Sequence, residues 1–155
     1  MKHRWAALGI VLALSALAAT SAAAQGGTTN PGRERQPEIA LGQNYPNPFN
    51  PETRIPFTLG PAQCTDQGRL YRVSLTVYNV LAQPVAIPLL MADGTNVPQG
   101  AGGEPLRNLL LPCGQYTAYW DGKYLNTTRE VASGLYIYKI EVDGRVATKK
   151  MIVTK

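Results

Sequence analysis

Asp143-Gly144 sits between two runs of alternating polarity, LYIYKIEV before it and RVATKKMIV after it. An Asp-Gly pair in that setting favours a two-residue type I′ turn, because both central residues must take positive φ. Such a turn pairs Val142 with Arg145, Ile140 with Ala147, Tyr138 with Lys149 and Tyr136 with Met151. Side chains alternate across a strand, so Tyr136, Tyr138, Ile140, Val142, Ala147, Met151 and Val153 share one face. Lys139, Glu141, Thr148, Lys150 and Thr154 take the other. Lys149 interrupts the apolar face, where a long stem can snorkel at a sheet margin. A hairpin with one dry side cannot stand alone, and the rest of the chain has to cover it.

The covering elements are also short alternating runs. In residues 70–80, LYRVSLTVYNV, Tyr71, Val73, Leu75 and Val77 face one way and Arg72, Ser74 and Thr76 the other. Residues 81–84 turn the chain, and 85–90 return as a strand interrupted by Pro88. Residues 91–103, MADGTNVPQGAGG, show no alternation and read as a mobile loop. Strands are expected at 106–111 and 115–120, the second with Tyr116, Ala118 and Trp120 on one face, and a polar link at 123–130. Upstream, Pro46, Pro48 and Pro51 forbid a helix, and Tyr45 and Phe49 are expected to anchor that segment. Residues 54–59 form a short strand confined to an edge by Pro56. The sum is an all-β, immunoglobulin-like antiparallel β-sandwich of about seven strands, with Trp120 between its layers.

Residues 1–24 read as a signal peptide. Lys2, His3 and Arg4 precede an apolar run at 5–19, and Ala22-Ala23-Ala24 supply the small residues before a cut between Ala24 and Gln25. The run is shorter than the ~20 residues that span a bilayer. Residues 25–38 are a polar, flexible leader, and 39–155 the folded domain. Removing 1–24 takes two of the fifteen Lys and Arg, leaving thirteen against ten acidic residues, and also the single histidine. That modest charge on an exported chain argues against nucleic acid as a partner. In an oxidising compartment Cys64 and Cys113 either pair or remain two partly buried thiols, and pairing needs Cα atoms within about 7 Å.

Five segments in order carry a resemblance: NYPNPFNP (44–51), VYNVLAQPV (77–85), GQYTAYWDG (114–122), VASGLYIYKI (131–140) and KKMIVTK (149–155). Residues 39–155 thereby resemble the C-terminal sorting domain of proteins exported by the type IX secretion system of Bacteroidota. The immunoglobulin-like domain of flagellar hook-capping proteins has similar WDG and SGxYxY signatures. The NYPNPFNP start and the basic end favour the sorting domain. The resemblance implies a non-enzymatic domain read by an outer-membrane translocon and removed by a sortase-like peptidase. Its cargo would be released or joined to anionic lipopolysaccharide at the cell surface, so the chain would meet the membrane only in transit. Position by position, Asn44, Pro46, Asn47, Pro48, Phe49, Asn50 and Pro51 match the opening segment, with cutting just before it, near residues 36–40. Gly134, Tyr136 and Tyr138 match the penultimate strand, and Lys149, Lys150 and Lys155 the terminal signature. Ala82 stands where the family usually has glycine, the link after WDG lacks the usual repeated Asp and Gly, and neither the 91–103 loop nor the cysteines are family marks. Only residues 25–38 stand where a large passenger would be expected, which gives weight to an alternative, a free-standing surface module used for adhesion or assembly.

No catalytic constellation is present. Without histidine after residue 3, a triad with a histidine base is excluded, and two cysteines 49 apart do not make a zinc site. Asp93-Gly94-Thr95-Asn96 lacks the alternating acidic ligands of a calcium loop and reads as a glycine turn. Asn126-Thr127-Thr128 matches a glycosylation sequon but reads as a polar loop. No cofactor or metal is expected.

Overall fold

The computed structural model describes residues 39–155 except 62, 63, 65, 67 and 126. The Ala24–Gln25 junction, the leader and Asn126 of the sequon lie outside the described residues. Nine strands are described and no helix: β1 (Ile39–Leu41), β2 (Thr53–Leu59), β3 (Leu70–Tyr78), β4 (Pro84–Ala86), β5 (Leu89–Leu90), β6 (Leu109–Pro112), β7 (Gly114–Trp120), β8 (Gly134–Val142) and β9 (Arg145–Val153).

The hairpin forms as its turn dictates. Asp143 and Gly144 take φ of 49° and 82°, and β8 pairs with β9 from Val142↔Arg145 through Ile140↔Ala147, Tyr138↔Lys149 and Tyr136↔Met151. Its dry face is Tyr136, Tyr138, Ile140, Val142, Met151 and Val153, all buried, while Ala147 and Lys149 near the margin are half-buried. On the inner side of β3, Val73, Leu75 and Val77 are fully buried. One sheet has the order β4-β3-β8-β9, with β6 pairing the first half of β3 on the same side as β4. The other has the order β1-β2-β7-β5, and every strand pairing is antiparallel. β2 is thus flanked on both sides and is not the edge strand expected from Pro56, whose missing N–H falls beyond the end of β1, where only its carbonyl is used, by Gly42 N. The layers meet in a single core that takes Ile55, Phe57, Leu59, Tyr116, Ala118 and Trp120 from the second sheet.

The count rises from about seven to nine for two local reasons. β1 and β5 have three and two residues, too few to show an alternation. The run 85–90, expected as one strand, is divided at Pro88: β4 pairs with β3 while β5 crosses to β7 in the other sheet. Proline cannot donate to a ladder, so the break falls where a strand must leave one sheet for another. The strand expected at 106–111 begins later, at Leu109.

Residues 91–103, expected as a mobile loop, are tied to the sheet. Met91 N donates to Thr117 O (2.8 Å), Thr95 N to Gln115 O (3.0 Å) and Gly103 N to Leu90 O (2.7 Å). Asn96 Nδ2 donates to Cys113 O at 2.7 Å. Glycines there allow close approach to strand backbones, and these hydrogen bonds, with Val97 and Ala101 packed against the core, hold the loop in a pattern that alternation cannot reveal. Cys64 and Cys113 form a disulfide, their Cα atoms 5.5 Å apart.

Candidate functional site

The matched segments from the two ends of the domain converge. Residues 42–51 leave the sheet as a strap and lie along the outer edge of β9, the margin of the five-stranded sheet. Phe49 N donates to Ile152 O at 3.0 Å and Phe49 O accepts from Thr154 N at 2.9 Å, a short parallel bridge centred on Val153. Asn47 Oδ1 accepts from Ile152 N (2.9 Å), and Gln43 Nε2 donates to Lys150 O (2.9 Å). The prolines explain the use of side chains: they remove donors and hold the strap off a regular ladder, so Gln43 and Asn47 reach across instead. The Tyr45-Pro46, Asn47-Pro48 and Asn50-Pro51 bonds are all cis.

Beneath the strap lies an aromatic cluster. Phe49, 1% exposed, meets the Trp120 ring edge-on at 5.4 Å, and Trp120 meets Tyr136 in the same manner at 5.9 Å. Trp120 Nε1 donates to Lys123 O (3.0 Å) and Tyr136 OH to Ala132 O (2.9 Å), which fixes both rings. Tyr45 is not an anchor. Its backbone pairs with Arg54, and its side chain is 55% exposed.

Tyr138 links the hairpin to the start of the strap. Its OH donates to Gly42 O (2.8 Å) and accepts from Asn44 N (3.1 Å). Asn44 and Thr53 are the buried polar side chains of the described residues. Asn44 Nδ2 donates to Thr53 Oγ1 (3.0 Å) and to Pro46 O (3.1 Å), and Thr53 Oγ1 donates to Pro46 O (3.0 Å). Fully satisfied buried networks of this kind specify one conformation. Burial raises the Tyr138 and Tyr136 phenols above the ordinary value.

Gly122, buried with φ of 72°, completes the clasp: a Cβ there would run into the Pro51 carbonyl oxygen. Gly134 opens β8 opposite Val153. Pro46, Pro48, Asn50 and Pro51 are exposed, as is Asn47, although its side chain is turned onto β9. Lys149 is half-buried and Lys150 exposed, while Lys155 pairs with Glu130 at 3.3 Å on the surface. Gln43, Thr53 and Thr154 belong to the clasp although no role there was read from the sequence, and so does Gly122 of the WDG signature. Only the glycine after Trp-Asp offered a signal, since an isolated glycine beside a strand marks close backbone approach.

No protein-family model matches the chain, and no curated protein does. Among solved structures, an alkylpurine DNA glycosylase, AlkC of Pseudomonas fluorescens, bound to DNA containing an abasic site analog, aligns with a TM-score of 0.39 and 15% identity. The alignment covers 76% of this chain and 31% of that one, so the chain spans about a third of its length. A likeness that slight carries no argument about this chain.

The described residues contain no group of three or more His, Cys, Asp or Glu able to hold a metal ion. A groove of about 570 Å³ is lined by Tyr119, Trp120, Asp121, Lys123 and Tyr124, so it shares Trp120 with the clasp. Lys123 and Asp121 neutralise each other there at 3.1 Å. What the clasp offers chemically is a surface: proline-rich backbone, a strand edge and terminal lysines held in one place.

Proposed function

We propose that this domain is a non-enzymatic address, an immunoglobulin-like sandwich read by type IX secretion machinery as it carries the chain across the outer membrane. The supporting observation is that the 44–51 strap docks on residues 150–154 over the Phe49–Trp120–Tyr136 cluster. Segments about a hundred residues apart thereby become one recognisable surface. The translocon is the first partner, a sortase-like peptidase the second, and anionic lipopolysaccharide the surface acceptor. Ile39 and Ala40, at the end of the expected cutting range, are paired with Leu59 and Thr58. Cutting there requires β1 to peel from β2, so residues upstream of β1 are the favoured target.

The test is export of a fluorescent reporter fused ahead of residues 36–155 in a type IX-competent host. Deleting 149–155 would remove the strap's seat along with the signal, so the informative variant is K149E/K150E/K155E, which keeps the backbone. Retention in the periplasm with unchanged circular dichroism supports the address. Normal export of that variant refutes it, and recovery of the chain uncut from residue 25 at the surface favours an adhesion module.

A further inference from the structure

The strap covers only part of the β9 edge. Val142 and Arg145 flank the turn, so Ala147, Lys149, Met151 and Val153 exchange hydrogen bonds with β8, and even-numbered residues turn their backbone groups outward. The strap satisfies Ile152 and Thr154, and Gln43 takes Lys150 O. Among the described residues nothing pairs with the N–H and C=O of Val146 and Thr148 or with the N–H of Lys150. Among the described residues that leaves about 17 Å of unpaired edge in line with a stretch that already accepts a strand.

We infer that this edge, Val146 to Lys150, takes an extended segment of another protein in which apolar side chains alternate with carboxylates. The Phe49 bridge two residues on shows that this margin of β9 accepts an extended segment, and Val146, Thr148 and Lys150 are exposed. β1 lies alongside β9, and its Ile39 and Leu41 are only partly buried, so inward side chains of an added strand would rest on them. Lys150, on the outer face, has no carboxylate in ion-pair range among the described residues, so the outward side chains of a matching strand are acidic and its inward ones apolar. A second copy fits worse, because it would bring another Lys149 and Lys150 to the same seam. Main-chain hydrogen bonds would supply affinity and the alternation specificity. As the grip of an export partner this rests on the reading above; as a property of the edge it is measured alone.

The probe is a capped ten-residue peptide of alternating glutamate and valine, with a lysine-for-glutamate control, added to the 15N-labelled full chain. The acidic peptide should shift the Val146, Thr148 and Lys150 amide resonances and slow their exchange at least tenfold. The lysine peptide should bind at least tenfold more weakly. T148P removes an outward N–H and leaves the β8 ladder intact, so it should lose the peptide at least tenfold while keeping its circular dichroism. K150E should reverse the charge preference without touching the backbone. Unchanged edge amides, full binding by T148P, or protection that grows with protein concentration alone, which would make the occupant a second copy, each overturn the inference. A T148P chain that loses the peptide yet is exported normally upholds the edge site and removes it from export. Failure of the peptide to bind while K149E/K150E/K155E blocks export overturns the edge and leaves the address standing.

Discussion

Phe49→Ala is the sharpest probe of the clasp. The side chain is 1% exposed, and removing a buried phenylalanine costs about 3–5 kcal/mol, depending on how far the surroundings collapse. Collapse is limited here, because Trp120 and Tyr136 are each held by a hydrogen bond to a main-chain carbonyl. The edge-on contact with Trp120 adds about 0.5–1.5 kcal/mol of its own. A loss near the top of that range, about 5 kcal/mol, is therefore expected in urea unfolding followed by circular dichroism. Hydrogen exchange resolves where the loss falls. The Ile152 and Thr154 amides donate to the strap, so their protection should fall by about a hundredfold or more, ahead of the inner β3 amides. Tyr45→Ala, at an exposed ring, serves as control and should stay within about 0.5 kcal/mol. A Phe49→Ala loss below about 1 kcal/mol, or unchanged Ile152 and Thr154 exchange, would refute the argument that the strap is pinned by this ring.

Three further outcomes follow from single features. Ala82 holds φ of 59° in the turn closed by Asn79 N to Gln83 O, so A82G should stabilise by about 1 kcal/mol in the same unfolding assay. Replacing Cys64 and Cys113 together by serine opens a 49-residue separation and should cost about 4 kcal/mol in the chain-entropy account, read as a lower urea midpoint. Tyr116 is pushed up to about 12 by burial, and Tyr136 and Tyr138 are raised by burial too. Native phenols holding their protons more tightly than unfolded ones contribute stability that is whole below pH ~10 and lost as pH rises through the native values. Unfolding midpoints should thus be level from pH 8 to 9.5 and fall above it; a rise there would contradict the burial of these rings.

The hairpin was legible to the residue because its turn chemistry and its alternation both point to one register. The same holds for β3, where Val73, Leu75 and Val77 alternate with polar neighbours along nine residues. Legibility failed where pairing is short or non-periodic. β5 is two residues placed by Pro88, and the 91–103 loop is fixed through backbone groups that any sequence possesses. Phe49 and Tyr45 looked equivalent on paper, yet only Phe49 faces Trp120. The partner of the strap was the hardest to see. Asn47 and Ile152 are 105 residues apart, and nothing local in either segment names the other.

That separation has a consequence for timing. Residues 42–45 can pair with β2 nearby in the chain, but Asn47 and Phe49 have no seat until 150–154 are present, so a chain emerging from a ribosome or a pore carries that part of the strap loose until the later segment arrives. The clasp then closes only once residues 150–154 are free to fold, and any machine that reads the assembled surface would be reading a domain whose two segments have already met.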